Sequence, residues 1–459
     1  MARPANGSET EKQQPVRRLA WLDGLRGFAA LLVYAIHTEG WTHSMPDYFK
    51  IDNAWGYEGE YYLTAFPIFR LFFVGGLFAV SVFFVISGYV VAAAPLRAIY
   101  ARDSLKLGDI LASAFFRRWF RLFILVAATT FIWMTMWHLF GFRTSQVTHP
   151  PKKTYRDEMW QWYVQFKNFS FVYNGFPWTD YNDHAWSIAL EFRGSVVVWS
   201  MLLAFARMVP SVRLLCDCVV LWYFLWVVDG WYCALFIMGM MLCELEMLNA
   251  KGQLPRVFDY FKPARSWIFY AMLVIALYIG GVPGTGEAID ILRISPGWYW
   301  LSFLAPKAAT DPRRFYHFIG ASLSVAAIPH IPRAKAFFEN RFCQYLGRVS
   351  FAFYMVHGPI LWSLGDRLYA AVGRVAEHHH TMVPNYINLF PLPGIGPMGL
   401  EINFLVPLLI LLPTTLWTAH IVTRTLDEPS VQFAKWLYEQ VLDQGDNGSP
   451  KKRDAERLV

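Results

Sequence analysis

Four residues in the first long hydrophobic stretch, residues 19–38, have side chains that could do chemistry. Arg26 and His37 are eleven residues apart, about three helical turns, so in a helix they share one face and lie roughly 16 Å apart in height. Asp23 and Tyr34 fall on the same face. Burying Asp or Arg at the centre of a membrane helix costs about 2.5–3.5 kcal/mol, so such residues indicate function. The alternative is an Asp–Arg pair at the membrane edge beside a hydrogen-bonded histidine.

The composition is typical of a polytopic membrane protein. Of the 459 residues, 55% are apolar and 18% aromatic, and only 16% are charged, against roughly 25% in soluble proteins. We interpret the net charge of +7 as a signal of loop orientation in the membrane, and we expect no nucleic acid as a partner. The five cysteines lie in or beside apolar segments and predict no disulfide framework.

Apolar runs near twenty residues predict an all-α fold, a polytopic membrane protein with about ten transmembrane helices. The segments on the membrane side that holds both termini contain about twice as many Lys and Arg residues as the segments on the opposite side. The positive-inside rule places the richer side, and therefore both termini, in the cytosol. We expect a polar cytosolic segment 1–18, a membrane domain 19–430 and a cytosolic, partly disordered tail 431–459. The predicted spans are residues 19–38, 70–94, 119–141, 185–207, 213–228, 230–247, 267–282, 316–330, 346–369 and 402–425.

Two features of the loops bear on this topology. Asn168 begins an N-glycosylation sequence on the predicted lumenal side, whereas Asn6 and Asn447 begin such sequences on the predicted cytosolic side and should stay unmodified. The run His378–His380 lies in the last external loop. Three consecutive histidines cannot all face one metal from a helix, so we expect a solvated loop there rather than a metal site.

Small and basic residues mark the next two predicted spans. The stretch 81–89 carries serines and a glycine among aromatic residues, and small residues let another helix or a ligand approach closely. Arg118 and Arg121 are three residues apart, on one helix face at the cytosolic mouth of the third span. Arginines so placed suit a polyphosphate or a carboxylate. The alternative is a basic anchor of the positive-inside type.

Asp183 and His184 lie directly before the fourth predicted span, 185–207, which contains Glu191. It runs from lumen to cytosol, so we expect Glu191 near the depth of His37. A buried carboxylate could hold a histidine in its reactive tautomer and stabilise its protonated form.

The ninth predicted span contains a second intramembrane histidine, His357, with Tyr354 one turn away and Pro359 just beyond. The proline would open the helix backbone near the histidine, which favours a polar cavity. His357 could equally make a hydrogen bond that packs two helices.

In this order the segments resemble the acyltransferase-3 family of integral-membrane O-acyltransferases, in its fungal-type branch. The resemblance covers about residues 20–425. Many members have proline where Phe123 stands here, which is the main departure. The matching segments are Asp23-Gly-Leu-Arg-Gly27 with His37, Phe83-Phe-Val-Ile-Ser-Gly-Tyr89, Arg118 with Arg121, His184 through Ser195, Leu346 through Pro359, and Asp427 through Val431.

The resemblance implies transfer of an acyl group, most often acetyl, from acyl-CoA to a hydroxyl. It assigns the essential base to His37 and implies that Arg26, Arg118 and Arg121 bind the acyl-CoA. Acyl-CoA is then a co-substrate. We expect no bound cofactor and no metal, because an alcohol can attack a thioester without one.

Such a reaction needs a base for the hydroxyl proton and donors for the developing oxyanion. We expect His37 to be the base, oriented by Glu191 or Asp183. The further candidates in the site are Asp23, His184, Tyr354 and His357.

The acceptor stays open among a secondary metabolite, a lipid and a glycan. We expect a multi-pass protein of the endoplasmic reticulum or another endomembrane, in contact with membrane lipid and with both termini cytosolic. The alternative function is a proton-coupled transporter or flippase, since intramembrane Asp, Arg and His also serve such carriers. Inverted repeats with broken helices would favour a carrier, and we find none in the sequence.

Overall fold

The computed structural model describes residues 19–142, 144, 149–284 and 289–442. Within these ranges every regular element is a helix, so the predicted all-α class is confirmed. The α-helices are α1 Ala20–Thr42, α2 Met45–Asp52, α3 Leu71–Val74, α4 Gly76–Tyr100, α5 Ser104–Phe140, α6 Tyr155–Ser170, α7 Trp186–Ala204, α8 Pro210–Trp222, α9 Trp231–Ala250, α10 Arg265–Gly280, α11 Ile289–Ile294, α12 Arg313–Ala327, α13 Pro332–Phe338, α14 Arg341–Ile360, α15 Asp366–Ala371, α16 His379–Met382, α17 Ile402–Val422 and α18 Glu428–Val441.

Seven helical stretches in the described part of the chain are long and apolar enough to cross a membrane. They cover the second to seventh predicted spans and the tenth. The first, eighth and ninth fall in α1, α12 and α14. Helix α12 has only 15 residues, and α1 and α14 carry charged residues among the apolar ones. The chain is therefore a membrane protein with several apolar helices, and the count of about ten spans stays a prediction.

Helices α1 and α14 cross with their backbones in contact. A Cβ on Gly27 would lie 2.2 Å from the backbone nitrogen of Gly347, and a Cβ on Gly347 would lie 2.3 Å from the carbonyl oxygen of Asp23. No side chain fits at either position, so the helices approach as closely as their backbones allow. This crossing holds the face of α1 that carries His37 against the face of α14 that carries His357.

Helix α4 lies at the centre of the bundle, against α1, α7, α9 and α12. Its Gly88 meets the carbonyl oxygen of Phe236 on α9, which a Cβ would approach to 2.0 Å. The expectation that the small residues of 81–89 admit another helix is therefore confirmed. Helix α5 runs unbroken past Phe123, whose ring is buried.

Large apolar side chains cover the outer faces of α8, α10 and α17. Trp222, Trp267 and Leu409 are 57%, 81% and 75% exposed. Exposed apolar surface on this scale marks a face that meets a membrane or a partner. In a bundle of apolar helices it is the expected lipid-facing surface.

Several predictions concern the ends of the chain. Helix α18 follows directly on the π-helical turn Thr423–Asp427 and continues past the predicted boundary at residue 431. The segment 1–18, with Asn6, and the residues from 443 onward, with Asn447, lie outside the described residues. The domain boundaries and the glycosylation pattern stay predictions.

Candidate active site

Three separate segments bring His37, His184 and His357 into one group, which we call the histidine cluster. The ring centroids of His37 and His184 are 3.7 Å apart, those of His184 and His357 4.6 Å, and those of His37 and His357 5.2 Å. His184 and His357 are only 8% and 2% exposed. The sequence offered each histidine as a separate candidate, and the structure brings all three together.

His184 lies in the 3₁₀ turn Asp183–Ala185, which precedes α7. The Asn182 side chain fixes this turn to α14 by donating from Nδ2 to the carbonyl oxygen of Met355, at 3.0 Å. Gly358 gives the ring its space, because a Cβ there would lie 2.8 Å from Nδ1 of His184. The ring of Trp362 packs 5.2 Å away. The position of His184 therefore depends on α14 as much as on its own turn.

The orientation of His357 is set by its own helix. Nδ1 lies 2.7 Å from the carbonyl oxygen of Tyr354, to which it can donate, and Nε2 is buried without a hydrogen-bond partner in the described chain. A neutral imidazole that donates from Nδ1 has its lone pair at Nε2. The Tyr354 hydroxyl donates to the carbonyl oxygen of His184 and lies 2.8 Å from Oγ of Ser187. Tyr354 thus joins α14 to the turn that holds His184.

The two carboxylates expected to orient His37 lie elsewhere in the site. Oδ1 of Asp183 is 3.6 Å from Nε2 of His184. Glu191 accepts hydrogen bonds from Ser87, at 2.9 Å, and from Arg118, at 3.0 Å.

The expectation that Glu191 contacts His37 is wrong, and the helix geometry gives the reason. Glu191 follows His184 by seven residues, so it lies two turns, about 10 Å, farther along the helix than the histidine cluster. A catalytic contribution of Glu191 stays a prediction, but it cannot act by holding His37. Asp183 lies beside the histidine cluster, next to His184.

Arg26 is held at the crossing of α1 and α14. Its guanidinium lies 3.0 Å from Oδ1 of Asp23 and donates to Oγ of Ser350, at 3.2 Å, and to the carbonyl oxygen of Gly347, at 3.1 Å. The Asp–Arg pair that the sequence offered as an alternative does form. The Arg26 guanidinium is also hydrogen-bonded to α14, so the Asp23–Arg26 pair lies at the edge of the contact between the two helices, with both side chains partly exposed.

Arg118 and Arg121 have different surroundings although they share a helix face. The Arg118 side chain is 14% exposed and pairs with Glu191. Arg121 is exposed, and the charges around it include Arg26, Arg118 and Asp427. Within the described residues, no carboxylate lies within ion-pair distance of Arg121. Arg121 is therefore the arginine of the pair that a negatively charged ligand can reach.

Two groups of side chains have ligand atoms close enough for a metal ion. In the histidine cluster, one ring nitrogen of each residue lies within 4.8 Å of those of the other two. In the second group, a carboxylate oxygen of Asp366 and one ring nitrogen each of His378 and His379 lie within the same distance of one another. The rings of His184 and His357 lie nearly parallel, with an interplanar angle of 6°. Ligands of a tetrahedral zinc diverge around the ion, whereas these rings stack. The expectation that the reaction uses no metal stays a prediction.

The expectation of a fully solvated His378–His380 loop is wrong. His379 is 3% exposed, and its Nε2 lies 3.4 Å from Oδ1 of the buried Asp366. The same oxygen accepts from Nε1 of Trp41, at 2.6 Å, and lies 3.2 Å from Nε2 of His378. Trp41 is one helical turn beyond His37, so this second polar group lies next to the histidine cluster along α1.

Comparison with protein families matches residues 19–424 to the acyltransferase-3 family, described as an acyltransferase domain. The chain belongs to this family, as the resemblance indicated, and the transporter alternative gains no support. Among curated fungal proteins it is similar to O-acetyltransferase PaAT-1 of Phomopsis amygdali, with 26% identity over 479 residues, 96% of this chain and 88% of that protein. It is also similar to acyltransferase clz18 of Cochliobolus lunatus, with 23% identity over 473 residues, 91% of this chain and 95% of that protein. No solved structure gives a significant match.

Proposed function

We propose that this protein is a membrane O-acyltransferase that transfers an acyl group, acetyl in the first instance, from acyl-CoA to a hydroxyl. The acceptor class is a small molecule such as a secondary metabolite, a lipid or a glycan. Family membership and the name of the relative O-acetyltransferase PaAT-1 support acyl transfer to oxygen. The observation that carries the proposal is the histidine cluster, which combines His37 with two buried imidazoles.

In the proposed reaction His37 removes the proton from the acceptor hydroxyl. The oxygen then attacks the thioester carbonyl carbon, so a C–O bond forms and the C–S bond breaks. The thiolate of coenzyme A leaves and takes the proton back from the His37 imidazolium. A positioned acid–base group contributes about 10²–10⁴-fold to such a step.

The neighbours of His37 suit this role. The centre of the His184 ring lies 3.7 Å from that of His37, and Asp183 lies next to His184. A carboxylate next to the cluster stabilises the positive charge that appears when one imidazole takes up a proton. His357 presents the lone pair of a buried Nε2, which can accept a hydrogen bond from the acceptor or from His37.

The arginines are proposed to bind the donor. Arg121 is exposed and has no carboxylate at ion-pair distance in the part of the chain that the structure describes, so it is suited to a phosphate of coenzyme A. Arg118 lies beside it, with its charge balanced by Glu191. Arg26 lies along α1 between these residues and His37, on the route that the pantetheine arm would take.

The localisation is part of the same proposal. The bias of Lys and Arg supports cytosolic termini and a cytosolic site for acyl-CoA, in the endoplasmic reticulum or another endomembrane. Glycosylation of Asn168 together with unmodified Asn6 and Asn447 is the expected pattern. A sugar on Asn447 would contradict this orientation.

The proposal is tested with the purified protein in detergent, labelled acetyl-CoA and a panel of hydroxyl compounds of the three acceptor classes. Release of the free thiol of coenzyme A and label in the product are measured together. We expect both signals with at least one acceptor class and neither with His37→Ala. Thiol release that is the same in the wild type and in His37→Ala would reject the proposed base.

A further inference from the structure

A cavity of about 480 Å³ lies near the end of α1 opposite His37. Trp21, on the first turn of α1, lines it, whereas His37 is sixteen residues, about 24 Å, farther along the helix. Cavities of roughly 300–1,000 Å³ hold small-molecule ligands. The lining is mostly apolar and aromatic, and includes Trp21, Leu242, Phe258, Phe269, Met272 and Val325.

One cation at the rim of this cavity lacks a counter-ion. Nη2 of Arg265 lies 3.2 Å from Nδ1 of His330, and its guanidinium carbon lies 5.6 Å from the centre of the Phe269 ring. Across the described ranges, no carboxylate comes within ion-pair distance of Arg265. A positive charge at the edge of an apolar cavity favours an anion with an apolar extension.

Two other charged residues, Lys262 and Glu246, line the cavity. Lys262 pairs with Asp259 at 2.8 Å. Glu246 accepts a hydrogen bond from the hydroxyl of Tyr89. Glu246 keeps its negative charge, because a hydroxyl partner is neutral. Among the described residues of the lining, Arg265 is therefore the cation that has no carboxylate at ion-pair distance.

The segment beside the cavity has the composition of a membrane–water interface. The 3₁₀ segment Arg256–Ala264 leads into α10, and Tyr260 and Trp267 at this junction are 85% and 81% exposed. Aromatic side chains concentrate at the level of lipid headgroups. An opening at this level meets headgroup phosphates on one side and hydrocarbon on the other.

We propose that this cavity binds one phospholipid with an anionic headgroup. The phosphate lies on Arg265, and one acyl chain extends between Phe258, Phe269 and Trp21. The charge of Arg265 selects the headgroup, and the apolar lining holds the chain. The site is separate from the histidine cluster, and the proposal does not rest on acyl transfer.

Native mass spectrometry of the purified protein tests this site directly. The protein is exchanged into micelles with equal amounts of phosphatidylcholine and phosphatidylglycerol, and the lipids that stay bound are counted. We expect one retained phosphatidylglycerol in the wild type. Arg265→Gln should reduce its occupancy about tenfold, which corresponds to about 1.4 kcal/mol. The control Arg256→Gln removes a charge from the same segment without touching the cavity, and should retain the lipid.

A second variant tests the apolar part. Ala326 lines the cavity, so Ala326→Trp should fill it and exclude the lipid. Glycerol 3-phosphate, which has the phosphate but no chain, should not displace the lipid. Equal retention of the two lipids, or equal retention in Arg265→Gln and Arg256→Gln, would overturn the proposal. Displacement of the lipid by glycerol 3-phosphate would also contradict the proposal, because that compound has no acyl chain. If Ala326→Trp fails to fold, the comparison of Arg265→Gln with Arg256→Gln still decides whether the site binds the lipid.

Discussion

Arg118 on α5 and Glu191 on α7 form an ion pair, with Nη2 3.0 Å from Oε1. Ser87 on α4 donates to the same carboxylate oxygen. Three helices therefore meet at one charge-balanced group. Arg121, three residues after Arg118, stays outside this group, so the two arginines that look equivalent in the sequence have different surroundings.

Arg121→Ala is expected to raise the KM for acetyl-CoA about tenfold, since one charge-assisted contact to phosphate is lost. The KM for the acceptor and the melting temperature should stay unchanged. Steady-state kinetics with each substrate varied in turn provide the measurement. Arg117→Ala, one helical turn away, is the matched control, and an unaltered donor KM in Arg121→Ala would return this residue to the role of a membrane anchor.

Arg118→Gln and Glu191→Gln should each destabilise the protein by about 1–3 kcal/mol, because each leaves a largely buried charge without its partner. The double variant should lose less than the sum of the two single variants, since neither charge is then left alone. Thermal unfolding in detergent of all four proteins gives the coupling. Additive losses would mean that the ion pair contributes nothing to stability.

His37→Ala is expected to insert into membranes normally and to lose transfer by about 10²–10⁴-fold. His37→Gln keeps a similar size and hydrogen bonding but cannot take up the proton, so it should be nearly as inactive. Membrane abundance and transfer from labelled acetyl-CoA are compared for both. A well-expressed and active His37→Gln would move the search for the base to His184 or His357.

Gly358→Ala tests the position of His184 without changing a polar residue. The added Cβ would lie 2.8 Å from Nδ1 of His184 and 2.8 Å from the Trp362 ring, so the imidazole must shift. A shift of about 1 Å in a catalytic group can cost about 10²-fold in rate, and kcat should fall accordingly. Gly365→Ala is the control, because its closest contact is the flexible side chain of Leu361, at 3.0 Å. Equal kcat in both variants would show that the site does not depend on His184.

The C-terminal end of α1 carries a histidine that contacts two carboxylates, and this contact should depend on pH. His43 lies between Glu39, at 3.0 Å, and Glu401, at 3.2 Å. Burial alone would lower the pKa of His43, but the hydrogen bonds to the two carboxylates outweigh it and raise this pKa from 6.5 to about 9. Burial alone would raise the pKa of Glu401, but His43, the backbone and Arg374 lower it from 4.5 to about 2.

These shifts predict the direction of a pH effect on stability. The contribution of His43 is complete below pH 6.5 and is lost as the pH rises through about 9, whereas that of Glu401 is lost only as the pH falls through about 2. The melting temperature should therefore fall between pH 6.5 and 9. His43→Gln should flatten this decline, and His380→Gln, at an exposed histidine, should not. A decline of equal slope in His43→Gln and in the wild type would contradict the assignment.

Periodicity and hydropathy were enough to predict the all-α class and the polar face of α1. Both depend on residues close together in the sequence, and helix geometry then decides which of them share a face. The close approach of the His184 ring to the His37 ring was not predictable in this way. It depends on how α14 packs against both α1 and the turn before α7. A single sequence shows which residues share one face of a helix, but it does not show which other helix that face contacts.

Two expectations from the sequence, the depth of Glu191 and the exposure of His379, are wrong for definite physical reasons. Glu191 was expected at the depth of His37 because both lie near the same predicted membrane edge, but depth in a bundle is set by the register of packed helices. His379 was expected in solvent because its neighbours are polar. Its burial follows from Asp366, a carboxylate inside the bundle that needs donors, and an acidic residue within the ninth predicted span was the signal that could have revealed it.

The glycine crossing of α1 and α14 also has a consequence for biosynthesis. His37 is translated 320 residues before His357, and α1 has no matching backbone surface until α14 has left the ribosome. A nascent or truncated chain that lacks α14 therefore contains His37 and His184 but not the complete histidine cluster. The cluster is a property of the finished polypeptide, because its third ring arrives only with α14.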